Sequence, residues 1–426
     1  MSDITTTPIQ GKKYRVKSGD RITRISAAAY GTEAQASFIV QSNNFIQGRT
    51  ISLEGLPTIY AGDVLNLPIS PDEQKRRNEA RRTLPNKSPD TVTMIVNGKT
   101  IEGFNAFRFL STMDTASDAV SGVIGVALDD NETWDLFRPY SYPEMRLYIG
   151  GVLRMTGRIY VTEPIVVKNG RSIAFTGYSK TIDLVDSAIK PPYEFNNIDL
   201  ESLADQVLSP HGLTATFQAD TGGTFDRLTA GESETAYSFL AKPAKQRGLL
   251  ISSNDIGELL FLKADTTSPV IGTIQEEFPP ASEFRASFNG RNRFQEYRAS
   301  AQDEESNAIT AVSRDENVPV YRLKTFSAPD STAGNIQAAA DWERSKAVAD
   351  ALTIPFPVSS WYGPDGKVWR ENTRVVVQSK TIYCPDGFTF LIRNVELKKE
   401  NGGQTAVLSL VPPSVFTGEE IVEPWG

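Results

Sequence analysis

Residues 146–188 constrain the fold most strongly, because two turn signals divide them into short apolar runs. Gly150-Gly151 separates RLYI from VLRM, and a glycine pair readily adopts the positive φ angles of a two-residue turn. Asn169-Gly170 separates PIVV from SIAF and is a strong hairpin signal. This second turn places Val166 opposite Ile173 on one face of the hairpin. The sequence therefore predicts two consecutive hairpins here.

A short helix is predicted directly after these hairpins, from Ser179 to Ile189. Ser179 or Thr181 is a suitable N-cap residue. Ile182, Val185 and Ile189 share one helical face, which can pack on the sheet. Hairpins followed by such a helix predict an antiparallel barrel or sandwich, and they predict no particular function.

Composition narrows the class of protein. A chain of 426 residues can form roughly two to four domains. Its net charge of −8 argues against a sequence-independent nucleic-acid binder. Cys384 is the one cysteine, so an intramolecular disulfide is excluded, as in proteins made in a reducing cytoplasm. The N-terminal residues lack the apolar core of a Sec signal, and the sequence contains no run of eighteen apolar residues.

After a loose arm at residues 1–13, residues 14–70 form a compact strand–helix–helix–strand (βααβ) pattern. Its turns, Ser18-Gly19-Asp20, Tyr30-Gly31 and Asn43-Asn44, and its final strand fall in the order of the LysM domain, which this segment resembles. The resemblance implies binding of N-acetylglucosamine polymers such as peptidoglycan in a shallow groove. The groove residues that it implies are Gly19, Asp20, Arg21, Ile22, Asn43 and Asn44.

A second interpretation of this unit is a protein–protein joint inside a larger particle, and the sequence favours it. The loop from Gln47 to Tyr60 is long for a LysM domain and borders the implied groove. Arg21 occupies a position where a small hydroxyl residue is usual. Residues 71–90 follow as a charged linker, which is either a solvated helix or a basic strip for an acidic partner.

Residues 91–190 resemble the N-terminal half of the Mu-like (gp44-like) contractile phage baseplate hub or tail proteins. Three segments carry the resemblance: FRFLSTMDTASDAVSG, LYIGGVLRMTGRIYV and SIAFTGYSKTIDLVDSA. Residues 191–275 match the middle domain of that family in the order of their elements. Helices are predicted there over residues 198–208 and 234–246, followed by a hairpin about Asn254-Asp255.

Residues 276–426 continue the resemblance. Strands are predicted over residues 285–288, 294–302 and 354–358, and a helix over residues 341–352. Gly366-Lys367-Val368-Trp369 then stands where the family expects it, before a closing hairpin about Asn401-Gly402-Gly403.

The resemblance implies a β-dominated α+β fold. Two related antiparallel β-barrels, at residues 91–190 and 276–426, would flank a small α+β domain at 191–275. Three copies would form a ring that joins a central spike to a six-fold tail tube or its initiator protein, in contact with other baseplate (wedge) proteins. The ring would surround a DNA passage in the virion and act during host cell entry, as in other contractile injection systems. An acidic passage is our hypothesis, because it would not retain the phosphate backbone.

The residues argue against an enzyme. His211 ends a helix, and the sequence contains no Gly-x-Ser-x-Gly motif that would supply a serine nucleophile beside it. One histidine and one cysteine are too few ligands for a usual zinc site. No phosphate-binding P-loop is present, and no cofactor is expected. The alternative is a peptidoglycan-binding protein or cell-wall hydrolase targeted by the LysM-like unit. Its candidate carboxylate pairs, Asp114 with Asp118 and Asp129 with Asp130, look like ordinary turn residues.

Overall fold

The computed structural model describes residues 4–5, 12–30, 32–52, 55–69, 78, 83–85, 87–168, 170–276, 286, 288–302, 308–328, 333–400 and 403–416. The chain forms two compact units. Unit one comprises residues 1–82, 190–215 and 220–229, and unit two comprises residues 83–189, 216–219 and 230–426. The domain boundaries derived from the sequence stay predictions.

Unit one contains the predicted βααβ arrangement. After β1 (Ile4–Thr5), β2 (Lys12–Arg15) pairs antiparallel with β3 (Val64–Leu67). The helices α1 (Ile22–Tyr30) and α2 (Ala36–Gln41) come between these two strands in the chain. Their apolar faces meet in one core, formed by Tyr14, Val16, Ile22, Ile25, Ala36, Ile39, Ile46, Leu65 and Leu67.

The second part of unit one contains one of the helices predicted for the middle domain. The strands β11 (Glu194–Ile198) and β13 (Phe225–Thr229) pair antiparallel. The helix α5 (Leu200–Leu208) starts after Asp199, whose carboxylate accepts a hydrogen bond from the Ser202 amide at 2.7 Å. The sequence spacing places Leu200, Leu203 and Val207 on one face of this helix, and all three are buried.

A 12-stranded sheet, called the central sheet below, dominates unit two. Its strands are β4 (Val92–Val96), β5 (Lys99–Ile101), β6 (Phe104–Thr112), β7 (Ala119–Gly125), β8 (Glu144–Ile149), β9 (Val152–Val167), β10 (Gly170–Ser179), β16 (Thr273–Gln275), β20 (Ile354–Val358), β21 (Arg374–Ser379), β22 (Cys384–Glu400) and β23 (Gly403–Val411). The order is β16-β21-β22-β6-β7-β10-β9-β8-β4-β5, and β23 pairs with both β22 and β20. The predicted strand-dominated α+β fold is confirmed.

The pairing of β6 with β22 joins the two regions that the sequence predicted as barrels. Phe109 lies opposite Leu397, and neither side chain is exposed. Phe107 of β6 packs with its ring centroid 5.7 Å from that of Trp361. The two regions thus share one sheet and one hydrophobic core, and the β6–β22 pairing satisfies the backbone groups along an edge of each strand.

The first predicted hairpin is confirmed. Gly150 and Gly151 connect β8 to β9 with φ angles of +58° and +79°, and Ile149 lies opposite Val152. A β-carbon at Gly151 would approach the Leu84 carbonyl oxygen at 2.6 Å. Both conformation and space therefore require glycine at this turn.

The second hairpin forms, but the predicted register is wrong. Val167 lies opposite Gly170, so Val166 faces Arg171 and Ile173 faces Pro164. The connection between the paired strands is one residue earlier than the Asn-Gly signal suggested, and Asn169 itself lies outside the described residues. Ile173 is buried, whereas Val166 is 71% exposed.

The helices of unit two are α3 (Asn131–Leu136), α4 (Ile182–Asp186), α6 (Ala236–Gln246) and α7 (Ala333–Ala351). α4 is shorter than the predicted helix, because Ser179 still belongs to β10 and Ser187 has extended backbone. α6 contains Pro243 within its length, and α7 starts eight residues earlier than predicted.

Two smaller sheets complete unit two. The strand β12 (Ala215–Phe217), of which Thr216 and Phe217 belong to unit two, joins the predicted hairpin of β14 (Leu250–Ser253) and β15 (Leu259–Leu262). The strand β17 (Glu296–Gln302) lies between β18 (Ala308–Arg314) and β19 (Leu323–Ser327).

Some predicted features fall wholly or partly outside the described residues. They are the arm at 1–13, the linker at 71–90, the strand at 285–288 and the Asn401-Gly402 turn. The strands β22 and β23 on either side of that turn pair as predicted. Short 3-10 helices span Glu33–Gln35, Asn44–Ile46, Ser209–His211, Gly290–Asn292 and Pro413–Phe416.

Candidate binding cleft and buried ionic network

A cleft of about 240 Å³ lies on the βααβ unit, between the start of α1 and the long loop before β3. Asp20, Arg21 and Ile22 line one side, as three of the six predicted groove residues. The loop lines the other side with Ser52, Leu56, Pro57, Thr58 and Ile59. The cleft is therefore walled by the loop that the sequence placed at the border of the groove.

The turn before α1 holds this wall in place. Gly19 has a φ of +88°, which allows the chain to reverse there. The Asp20 carboxylate accepts hydrogen bonds from the Tyr14 hydroxyl at 2.5 Å and from the Lys17 amide at 2.7 Å. Burial, together with that hydrogen bond to Asp20, raises the pKa of Tyr14. Asp20 thus contributes to the shape of the cleft through the turn.

The other two predicted groove residues lie elsewhere on the unit. Asn43 is 4% exposed and donates hydrogen bonds of 2.7 Å to the carbonyl oxygens of Ile39 and Asn66. Its side-chain oxygen accepts from the Asn66 amide, also at 2.7 Å. Asn44 is exposed, and its side-chain oxygen accepts from Gln47. Asn43 therefore ties the end of α2 to β3 and does not line the cleft.

Sequence reasoning missed a second feature of this unit, which we call the aromatic platform and which consists of Phe45, Arg49 and Tyr60. The Arg49 guanidinium lies 5.3 Å from the Phe45 ring centroid and 5.0 Å from that of Tyr60. Asp63 forms an ion pair with Arg49, and this hydrogen bond lowers the pKa of Asp63. Both rings are more than half exposed, so the platform presents two aromatic faces fixed by one cation.

Unit two contains a buried ionic network around Arg154, which is 2% exposed. Its guanidinium donates to the Trp369 carbonyl oxygen at 3.0 Å and lies 3.7 Å from the Glu371 carboxylate. The same group lies 5.6 Å from the centroid of the Phe109 ring. Burial lowers the pKa of Arg154. The network thus fastens β9 to the segment that precedes β21.

Two further carboxylates belong to this network. Asp118 is buried and accepts from the Thr112 amide at 3.2 Å, and burial followed by repulsion from Glu371 raises its pKa. Asp255 accepts two hydrogen bonds from Arg370, at 3.1 and 2.9 Å. The contact between Asp255 and Arg370 joins the β14–β15 hairpin to the segment that precedes β21.

The residues weighed for catalysis have structural contacts. Asp114 forms an ion pair with Arg393 at 2.6 Å, while Asp130 accepts from the Thr133 amide at the start of α3. Burial raises the pKa of Cys384, which is 2% exposed. His211 ends a 3-10 helix, as the sequence predicted.

Two kinds of feature are absent from the described part of the chain. No group of three or more His, Cys, Asp or Glu side chains there is arranged to hold a metal ion. No helix in that part is long and apolar enough to cross a membrane.

Comparisons with known protein families match two segments. Residues 181–263 match the model of the baseplate hub protein gp44-like second domain. Residues 332–419 match the model of the fourth domain of the Mu phage baseplate assembly protein GpP. The two matches lie in the middle and C-terminal regions where the sequence predicted this resemblance.

Whole-chain comparisons agree with the family models. The baseplate hub protein gp44 of Escherichia phage Mu is 27% identical over 346 residues, which cover 77% of this chain and 89% of that protein. The 43 kDa tail protein of prophage MuSo2 from Shewanella oneidensis is 25% identical with a TM-score of 0.66, over 77% of this chain and all of that one. A tail protein from Neisseria meningitidis MC58, 20% identical over 77% of this chain and 98% of its own, has the same fold with a TM-score of 0.67.

Proposed function

We propose, from the premise that this chain is a homologue of the Mu-like baseplate hub proteins, that it is a structural protein of a contractile phage baseplate or a related particle. The observation that carries the proposal is similarity in sequence and fold over 77% of the chain to phage hub and tail proteins. The location that follows is the virion, after synthesis in the host cytoplasm. Since those relatives are structural proteins, we propose that this chain is not an enzyme.

The finer part of the proposal is a ring of three copies that joins a central spike to a six-fold tail tube. The two strand-rich regions that pair through β6 and β22 support it, because each copy then presents two sheet regions. Three copies then offer six such regions, which is a physical route from three-fold to six-fold symmetry. The buried ionic network supports a rigid element, as such a ring requires.

The ring is tested by sedimentation velocity of the full chain, alone and mixed with the spike and tube proteins of the same particle. We expect three chains per complex and co-sedimentation with both partners. A chain that stays monomeric both alone and with the spike and tube proteins would contradict the ring. Because the assay reads assembly directly, it separates this proposal from the peptidoglycan-binding alternative.

We further propose that the βααβ unit is a protein joint within the particle. The exposed aromatic platform supports this assignment, because fixed aromatic and arginine side chains are enriched where proteins bind one another. The cleft lined by Asp20, Arg21 and Ile22 favours a second candidate, binding of peptidoglycan glycan chains.

Pull-down of the full chain with purified peptidoglycan separates these two candidates. Glycan binding predicts retention that falls with Arg21→Ala and persists with Arg24→Ala, an exposed arginine of α1 that does not line the cleft. A protein joint predicts no retention by peptidoglycan. It also predicts loss of a particle partner with Tyr60→Ala.

A further inference from the structure

A cavity of about 490 Å³ in unit two has no role in the proposed ring. It lies where the end of α6, the segment after β15, the helix α7 and the last 3-10 helix come together. Its size falls within the range of ligand sites in proteins. The lining residues used below are Gln246, Arg247, Lys263, Asp341, Trp342 and Phe416.

Two buried side chains in this wall have polar atoms without a partner. Gln246 is 2% exposed, and neither its amide oxygen nor its amide nitrogen has a hydrogen-bond partner among the described residues. Trp342 is 6% exposed, and its indole N–H also has no partner there. Buried polar groups are nearly always satisfied, so this wall has the donors and acceptor of a binding site.

The charged side chains that line the cavity indicate the charge of a suitable ligand. Among the described residues that line the cavity, Arg247 and Lys263 are cationic and Asp341 is acidic. That carboxylate already accepts from the Ser313 hydroxyl at 2.6 Å and from the Gln337 amide at 3.2 Å. The cavity therefore favours a ligand with negative charge.

The remaining surface of the cavity is apolar. The rings of Trp342 and Phe416 lie with their centroids 6.1 Å apart, and both residues line the cavity. A ligand that combines carboxylates with an apolar side chain can use the cationic groups and these rings together.

We propose that this cavity binds a short acidic peptide segment of a partner protein. A primary amide such as Gln246 donates to one peptide carbonyl and accepts from one peptide N–H, as a backbone strand does. The Trp342 indole N–H donates to a second carbonyl, while Arg247 and Lys263 lie near acidic side chains. An apolar side chain of the peptide contacts Phe416.

Isothermal titration calorimetry of the full chain tests this proposal with two synthetic peptides. One is acetyl-EELEE-amide, and the other is its neutral counterpart, acetyl-QQLQQ-amide. We expect one acidic peptide per chain and at least about tenfold weaker binding of the neutral peptide. Equal binding of the two peptides, or no binding of either, would overturn the proposal.

Variants locate the binding. Gln246→Leu removes both amide contacts and should weaken binding about tenfold, whereas Gln404→Leu, a half-buried glutamine of β23, should leave it unchanged. Lys263 is exposed, so Lys263→Ala should fold and can test the site if Gln246→Leu does not. We expect Lys263→Ala to weaken peptide binding about threefold. The control is Lys367→Ala, a substitution of another exposed lysine. An unchanged affinity in Lys263→Ala would contradict the assignment.

The source of the peptide needs its own control, because residues 417–426 have the acidic sequence TGEEIVEPWG and lie outside the described residues. The titration is therefore repeated on a chain that lacks them. Equal affinities in the two chains support a partner protein. Binding seen only after truncation would overturn the partner, since the segment of the same chain would then be the occupant.

Discussion

The βααβ unit and the central sheet hold their arginines in opposite ways. Arg154 of the sheet is 2% exposed. Its contacts with Glu371 and with the Trp369 carbonyl oxygen replace the contacts with water that burial removes. Arg49 of the βααβ unit has a side chain that is 24% exposed, between two exposed rings. A buried ion stabilises architecture only while its partners remain, whereas a partly exposed one stays available to another molecule. This contrast supports our proposals that the sheet is a rigid element and that the βααβ unit binds a partner.

Arg154→Met should have the largest effect on stability, because it leaves the partly buried Glu371 and the buried Asp118 without the cation beside them. We expect a loss of about 3–5 kcal/mol in the free energy of unfolding. Urea unfolding followed by tryptophan fluorescence measures it. The control is Arg158→Met on the same strand, whose side chain is 43% exposed, and it should change stability by less than about 0.5 kcal/mol. Equal losses in the two variants would remove the contrast between buried and exposed charge.

Asn43→Ala should destabilise the βααβ unit by about 2 kcal/mol, because it leaves the buried Ile39 carbonyl and the partly buried backbone groups of Asn66 without their partner. Hydrogen exchange should show the loss as faster exchange in β2 and β3. Asn44→Ala, at the neighbouring exposed position, should stay within about 0.5 kcal/mol of the parent chain. Faster exchange in both variants would mean that Asn43 does not tie α2 to β3.

The raised pKa of Asp118 should make its contribution to the free energy of unfolding fall as the pH rises. Its pKa is raised in the folded chain, so the folded state binds its proton more tightly than the unfolded state does. Stability relative to Asp118→Asn should therefore be greatest below the ordinary carboxyl pKa of about 3.9 and fall as the pH rises, by at most about 1.4 kcal/mol per pH unit. Urea midpoints of both chains between pH 4 and 8 measure the difference. If the parent chain instead gains stability relative to Asp118→Asn as the pH rises, the burial of Asp118 would be contradicted.

Asp63 should show the opposite sign and the smallest effect. Its pKa is lowered by the hydrogen bond from Arg49, so its contribution is present above about pH 3.9 and is lost as the pH falls further. Because the pair is partly exposed, we expect at most about 1 kcal/mol. Hydrogen exchange of residues 58–63 at pH 7 and pH 3, in the parent chain and in Asp63→Asn, measures it. Loss of protection at low pH in both chains would exclude the pair as the cause.

Local signals in the sequence predicted local structure well. The Gly150-Gly151 turn, the apolar face of α5 and the βααβ order all depend on residues close together in the chain. The Asn-Gly signal found the second hairpin but not its register, because the connection lies one residue earlier.

Long-range structure could not be derived in the same way. The β6–β22 pairing joins residues nearly 300 positions apart, and no periodicity specifies which strands become neighbours. Asn43 was predicted in the groove from its place in a motif, yet its amide is used to connect α2 with β3. The aromatic platform was missed, because Phe45, Arg49 and Tyr60 are spaced irregularly around a loop.

We propose that the chain is a structural hub component that assembles in threes. The decisive test is the mass of the purified complex, measured by multi-angle light scattering with the spike protein of the same particle present. We expect three 46.8 kDa chains in each complex. A complex with one or two chains, or no complex at all, would contradict it.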